Sequence, residues 1–174
     1  MKICNIGIIS DTHNYLSEEL LKELKGVDLI IHAGDIGEEL ILQRLKEIAP
    51  IHAVYGNTEG ESLVRILPNQ KIIEVYSKKI FVTHDLYLSL LKTKISKLGV
   101  DVVIFGHTHL AKIEKKKDIL IINPGSPTSP RGGLSKSFAI LSIELGNEGN
   151  ANNISTELKE VNQTAEKCHI FRGT

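Results

Sequence analysis

The chain has 174 residues, 41% of them hydrophobic and 24% charged, with Lys+Arg and Asp+Glu both at 21 and a formal net charge of zero. That balance describes a globular chain able to bury a core, sized for one domain over residues 1–174, and it excludes a disordered polyelectrolyte. It also excludes a global basic field for nucleic acid, and no apolar run approaches the ~20 residues that span a bilayer. Two cysteines, Cys4 and Cys168, stand at opposite ends without CxxC spacing, so neither a disulfide framework nor a thiolate metal site is expected. The first apolar run lacks a small-residue cleavage site, which reads against a signal peptide, and a cytoplasmic setting is the expectation.

In chain order, Ile3–Ile9 reads as a buried strand. Ser17 is placed to cap a short helix carrying Leu20, Leu21 and Leu24, stopped by Gly26. Asp28–Ala33 is a second strand, Glu38–Ala49 a helix closed by Pro50, and Ile51–Tyr55 a third strand. Gln70–Tyr76 and Lys79–Thr83 read as a hairpin turned at Ser77-Lys78. Leu86–Leu98 is predicted as one helix, with Leu88, Leu91, Ile95 and Leu98 at helical spacing and Gly99 as its stop. Val100–Phe105 is a buried strand. Leu110–Glu114 and Ile119–Ile122 form a hairpin closed by the run Lys115-Lys116-Lys117, read as a solvated turn. Ser137–Glu144 and Ser155–Val161 form a last hairpin turned through residues 146–150. The early βαβαβ order implies parallel pairing. The predicted fold class is α/β, with two packed mixed β-sheets flanked by helices.

Five strand-like runs end in polar clusters: Asp11-Thr12-His13, Gly34-Asp35, Gly56-Asn57, His84-Asp85 and Gly106-His107-Thr108-His109. Ligands in open α/β sheets bind beyond the carboxyl ends of strands, so strands sharing a sheet and a direction would bring all five clusters to one edge. Two Asp, one Asn and four His offer oxygen and imidazole donors without thiolate. That set suits Mn, with Ni, Co, Fe or Zn as alternatives, and suits Mg less. Seven donors exceed what one catalytic ion with an open position needs, and fit two ions sharing a carboxylate. The charge that remains after two carboxylates meet two dications favours an anionic phosphate.

The order Asp11-x-His13, Gly34-Asp35, Gly56-Asn57, His84, Gly106-His107-x-His109 resembles the calcineurin-like metallophosphoesterase superfamily, and most of all its small single-domain phosphodiesterases, relatives of the retromer scaffold subunit. The resemblance runs from Met1 to about Glu144, and Asn123-Pro124-Gly125-Ser126 and Pro130-Arg131-Gly132 also resemble a late loop of that branch. It implies two divalent metal ions: Asp11, His13 and His109 on one, Asn57, His84 and His107 on the other, Asp35 between them. It implies in-line attack by a metal-bridging hydroxide on a small phosphate ester, with Asp35, Asn57 and His84 central to catalysis and Asn57 touching the phosphate. Arg131 is a candidate substrate contact; an exposed loop is the alternative. No nucleic-acid or membrane partner is expected, and a homo-oligomer is compatible with the chain.

Departures sharpen the expectation. Thr58-Glu59 follows Asn57 where many members of the superfamily have a His that assists the leaving group, so Glu59 or water is the candidate proton source. Asp85 stands where a Gly is usual; it is read either as a partner for an imidazole or as the cap of the following helix. Ile36-Gly37-Glu38-Glu39 after Asp35 departs from the protein Ser/Thr phosphatase pattern. His32 and His52, inside apolar runs, read as core or sheet-edge histidines. The competing reading is a non-catalytic scaffold on the same fold. Completeness of the seven donors favours catalysis.

Overall fold

The computed structural model describes residues 2–92, 94–97, 99–146 and 151–161. The expected turn at 147–150, Cys168 and His169 lie outside the described residues, as do the side chains of Leu91, Ile95 and Leu98.

Five strands make the first sheet. β1 (Lys2–Ile9), β2 (Leu29–Ala33) and β3 (Ile51–Val54) run parallel, joined through helices α1 (Glu18–Glu23) and α2 (Glu39–Lys46). Ser17 accepts the Leu20 N–H at the start of α1, as the capping preference predicts. Helix α3 (Glu61–Ile66) follows β3; it was not expected from the sequence. A second sheet then begins with the antiparallel pair β4 (Gln70–Val75) and β5 (Lys78–Thr83). It continues through α4 (Leu86–Lys92), a 3-10 turn at Ile95–Lys97, β6 (Val102–Ile104), β7 (Lys112–Lys116) and β8 (Ile119–Asn123). The chain returns to the first sheet with β9 (Ser137–Leu145) and β10 (Ala151–Glu160), antiparallel beyond β1. The spatial orders are β10-β9-β1-β2-β3 and β4-β5-β6-β8-β7.

Alternation along the strands explains the layering. Ile6, Ile8, Ile31 and Val54 from the first sheet meet Ile80, Val82, Val102, Ile104 and Ile122 from the second in one buried layer. The opposite face of the first sheet, with Ile9, Ile30 and Phe138, takes Leu20, Leu24, Leu45 and Leu63 from the helices. The outer face of the second sheet is thinner: Phe81, Val100, Val103 and Ile121, with Leu86, Phe105 and Ile119 against them. Burying each large aliphatic side chain contributes about 1.5–3 kcal/mol relative to exposure, so strands with two apolar faces hold the sandwich together.

Three expectations are corrected. The five polar clusters do not end strands of one sheet: three follow β1, β2 and β3, and two follow β5 and β6 of the other. The turn of the first hairpin sits at Tyr76-Ser77, whose φ values are 46° and 65°, one residue earlier than expected. The lysine run is not a turn, because Lys115 and Lys116 are strand residues and only Lys117, at φ 55°, belongs to the bend.

Candidate metal centre

β1, β2 and β3 are parallel, as are β5 and β6, and the two sheets pack so that their carboxyl ends meet. Backbone bonds lace the loops beyond them. Asp11 N–H donates to Gly34 O at 3.0 Å, His13 N–H to Asp35 O at 3.0 Å, and Asn14 N–H to Ile36 O at 2.8 Å, extending the β1–β2 pairing past the strand ends. Within the second sheet, Gly106 N–H donates to His84 O at 3.0 Å, and across the sheets His107 N–H donates to Asp11 Oδ2 at 3.1 Å.

All seven sequence-predicted donors come together here, around two foci. At the first, His109 Nε2 is 3.2 Å from Asp11 Oδ1 and 3.2 Å from His13 Nε2, and His13 Nε2 is 4.0 Å from Asp35 Oδ2. At the second, Asn57 Oδ1 is 3.1 Å from His84 Nε2 and 2.9 Å from His107 Nδ1, and His84 Nε2 is 3.3 Å from Asp35 Oδ1. Each oxygen of Asp35 thus faces a different focus. Donors on one ion with ~2.1 Å bonds stand about 3.0–3.4 Å apart at angles of 90–109°; the separations here are close to that, except His13 to Asp35 at 4.0 Å.

The imidazoles are preset. His84 Nδ1–H donates to Ala33 O at 2.8 Å and His109 Nδ1–H to Ser129 O at 2.6 Å, which leaves each Nε2 lone pair aimed at the cluster. His107 is reversed: Nδ1 faces Asn57, and Nε2 is 3.8 Å from Asp85 Oδ2. Asp85 also accepts the Leu88 N–H at 3.1 Å, so it both caps α4 and faces an imidazole.

Electrostatics test whether cations fit. Asp11 is fully buried, and its Oδ1 has no hydrogen-bond partner among the described residues. Burial pushes its carboxyl up, helped by the charge of Asp35 and opposed by Ser10, His84 and His109. For Asp35, burial also acts upward, but the hydrogen bond and charge of His84, with Thr58, outweigh it and hold the group below the usual carboxylate range. Burial pulls His84 down, and Asp35 more than offsets this and raises it. Two buried carboxylates with converging imidazole lone pairs and one orphaned oxygen form a donor set that divalent cations satisfy. Two such groups of acidic and imidazole donors, Asp11-His13-His109 and Asp11-Asp35-His84, cluster within 4.8 Å.

The loops carry local strain to achieve this. Asp11, His13, Asp35, His107 and His109 have φ of 55°, 45°, 53°, 67° and 58°, in the left-handed region. Gly34 shares that region at φ 90°, and a Cβ there would lie 2.7 Å from the His84 ring. At Gly56 and Gly106 the constraint is space: a Cβ would stand 2.1 Å from Asp35 Oδ1 and 1.9 Å from Ser10 Oγ. The glycines make room for the His84 ring, the Asp35 carboxylate and Ser10.

Several supports escaped the sequence reading. The Glu59 carboxylate accepts the Ile36 and Gly56 N–H groups, the latter at 2.6 Å, and so ties the Asp35 loop to the Asn57 loop. Both its oxygens are committed to backbone, which corrects its expected role as proton source. Ser126 and Thr128 hydroxyls donate to Asp11 O at 2.8 and 3.0 Å, and Asn123 Nδ2 donates to Gly106 O at 2.9 Å. Glu59 and the Asn123–Ser126 run stand out in the sequence; the distant loops they brace do not. Arg131 is exposed, with its backbone N–H on His109 O at 3.3 Å. His32 is fully buried behind the Asp11–His13 loop, its Nε2–H on Thr12 Oγ1 at 2.9 Å while that hydroxyl donates to Ile36 O. His52, on edge strand β3, faces Lys71 Nζ at 3.2 Å.

A two-sheet sandwich with histidine and carboxylate loops at the strand ends is the architecture of a phosphoesterase superfamily. Residues 4–146 match the calcineurin-like phosphoesterase superfamily domain, and the chain belongs to that family. A probable metallophosphoesterase of Methanocaldococcus jannaschii, MJ0623, is 43% identical over 153 residues, covering 80% of this chain and 76% of the relative. Phosphodiesterase MJ0936 of the same organism is 34% identical over 137 residues, covering 69% of this chain and 82% of the relative. The solved structure of a novel archaeal phosphodiesterase superposes with TM-score 0.67 at 30% identity, covering 89% of this chain and 99% of that one. Vps29 of Chaetomium thermophilum superposes with TM-score 0.65 at 20% identity, over 90% and 97% of the two chains; that likeness is one of fold alone. Among the described residues, no helix is long and apolar enough to cross a membrane.

Proposed function

We propose that the chain is a two-metal phosphodiesterase of one domain, acting on a small phosphodiester in the cytoplasm, with no nucleic-acid or membrane partner. In this reading Asp11, His13 and His109 hold one divalent ion, Asn57, His84 and His107 the other, and Asp35 both. The observation that carries it is the division of Asp35: Oδ2 lies toward His13 and Oδ1 toward His84. Mn is the favoured metal, because imidazole and carboxylate donors are mixed without thiolate. Bound ions would supply Lewis acidity toward a phosphoryl oxygen and a water acidic enough to act near neutral pH.

The chain's own residues do the rest. Asp35, held ionised by His84 and Thr58, supplies negative charge at the middle of the site. Backbone acceptors fix the tautomers of His84 and His109, so that neither ring must reorient during reaction. Asn57, exposed at the rim, has an amide N–H₂ to offer a phosphoryl oxygen, and Arg131, on the His109 side, is the candidate second contact. Among the described residues the candidate acid, Glu59, is engaged by backbone and does not stand ready for the leaving group. Diesters with good leaving groups are therefore the expected substrates, ahead of alkyl monoesters. The residues after Asp35 depart from the protein-phosphatase pattern, and the names of the relatives point the same way.

The test is metal-stripped protein assayed with Mn, Ni, Co, Zn and Mg on paired aryl mono- and diesters. Asp35→Asn is expected to lose at least about a hundredfold in turnover, the upper end of what even outer-sphere changes cost a metal site. A folded wild type inactive with every metal would favour the scaffold alternative.

A further inference from the structure

The outer face of the second sheet is only partly covered. Two adjoining cavities lie there, of about 400 and 520 Å³. They share Leu86 and Phe105. The first also reaches Tyr87, Gly106, His107 and Thr108. The second reaches Ile121 and the side chains of Lys94, Lys112, Glu114 and Lys116. One trough therefore leads from His107, at the metal centre, to the edge strand β7.

Strand alternation gives this trough its character. On β7, Ile113 turns inward to the core between the sheets, while Lys112, Glu114 and Lys116 share the other face; Glu114 pairs in register with Ile121. Lys112 pairs with Asn123, whose side chain holds Gly106 O and Thr108 Oγ1, so the cationic end starts beside the His107 loop. Glu114 binds both neighbours, Lys112 at 2.6 Å and Lys116 at 3.3 Å, and three lysines against one glutamate leave two formal positive charges in the second cavity. Asp85, at the other end, is spent on Leu88 N–H and His107.

We propose that this trough is the subsite for one ester substituent of the substrate, an apolar or aromatic group that carries a second anionic charge. The proposal rests on the phosphodiesterase reading and names its substrate class. A bare anion would leave the Leu86–Phe105 floor uncovered, and a neutral hydrophobe would leave the lysines without a counter-charge. Each cavity is of the size that takes a small organic group. Phe105 and Tyr87 suit an aromatic ring, and the lysines suit a phosphate, sulfonate or carboxylate beyond it.

The experiment uses 4-nitrophenyl 2-naphthyl phosphate with and without a sulfonate on the distal naphthyl ring. In the metal-free protein, binding of 2-naphthol-6-sulfonate is compared with that of 2-naphthol by naphthyl fluorescence. The wild type is expected to favour each sulfonated compound by about fivefold, in KM and in dissociation constant, the scale of one or two exposed ion pairs. Lys112→Ala with Lys116→Ala should erase that preference in KM and in dissociation constant. Lys115→Ala, which removes one charge from the other face of β7, should keep it. A wild type without sulfonate preference, or a preference that survives the double variant, overturns the subsite. A preference in binding without turnover of either diester upholds the subsite and overturns the phosphodiesterase reading.

Discussion

His32 shows how one buried side chain sets acid sensitivity. Burial first, then His84 and His13 against the opposing charge of Asp35, lower it to about 3 from the ordinary 6.5. Between those values the unfolded chain binds a proton that the folded chain refuses. Stability is therefore intact above pH 6.5 and falls as pH drops, by up to about 1.4 kcal/mol per pH unit. His52, lowered by burial and by Lys71, acts in the same direction, so the check is a difference. Urea unfolding of metal-free His32→Asn should give a flatter limb between pH 6.5 and 4 than wild type. Parallel limbs would remove the assignment. Glu59 makes a second case. If its role is to brace loops, Glu59→Ala should weaken Mn binding by about 10–100-fold. The pH–rate profile of the remaining activity should keep the wild-type shape, and loss of one limb would instead mark Glu59 as a proton donor.

At the scale of elements, the glycines before the donors make the sharpest prediction. A Cβ at Gly56 would meet the Asp35 carboxylate at 2.1 Å, the Asp35 backbone N at 2.5 Å and the His84 ring at 2.8 Å, so Gly56→Ala should displace the Asp35 loop and the His84 ring while the strands stay folded. Calorimetric titration should show Mn affinity lower by about 10–100-fold with an unchanged far-UV spectrum. Much of this scale was legible. Ile3–Ile9, Asp28–Ala33 and Ile51–Tyr55 read as strands because they are short, nearly continuous apolar runs, and the Ser17 cap is a local hydrogen bond. What was not legible depends on distance or on small backbone differences. β5 pairs with β6 and not with β3, and no local pattern in either strand records that choice. The Tyr76-Ser77 turn places two non-glycine residues at positive φ, without the Asn-Gly signature that marks such turns. The long helix expected over 86–98 is α4 and a separate 3-10 turn, and the six-residue α3 is too short for its periodicity to stand out. At the site itself, the donors were readable because each ends a strand. Ser126 lies in the Asn123–Ser126 run that resembles the family's late loop, but Thr128 and Ser129 were not readable, because they brace Asp11 and His109 from a stretch whose own sequence looks like a simple turn.

For the whole molecule, the two foci connect the sheets. Asp11 and Asp35 belong to the first sheet's loops, His84, His107 and His109 to the second's. Any ion held there therefore joins the two halves, and its binding energy adds to folding stability. Mn at ~100 times its dissociation constant should stabilise the stripped protein by about 2.7 kcal/mol. For a chain of this size that corresponds to a rise of about 5–10 °C in Tm. Thermal melts with and without chelator check it, and a Tm indifferent to Mn would mean that the donors do not load.

The left-handed backbone at Asp11, His13, Asp35, His107 and His109 has a consequence for descent. Each such position costs a side chain about 1 kcal/mol that glycine would not incur. Selection for stability alone therefore works against these five residues and in favour of replacing them. A lineage freed from hydrolysis would drift toward silence at little structural cost, keeping sheets and core while its donors eroded. The reverse path is steep, because the donors must reappear together before any one of them is useful.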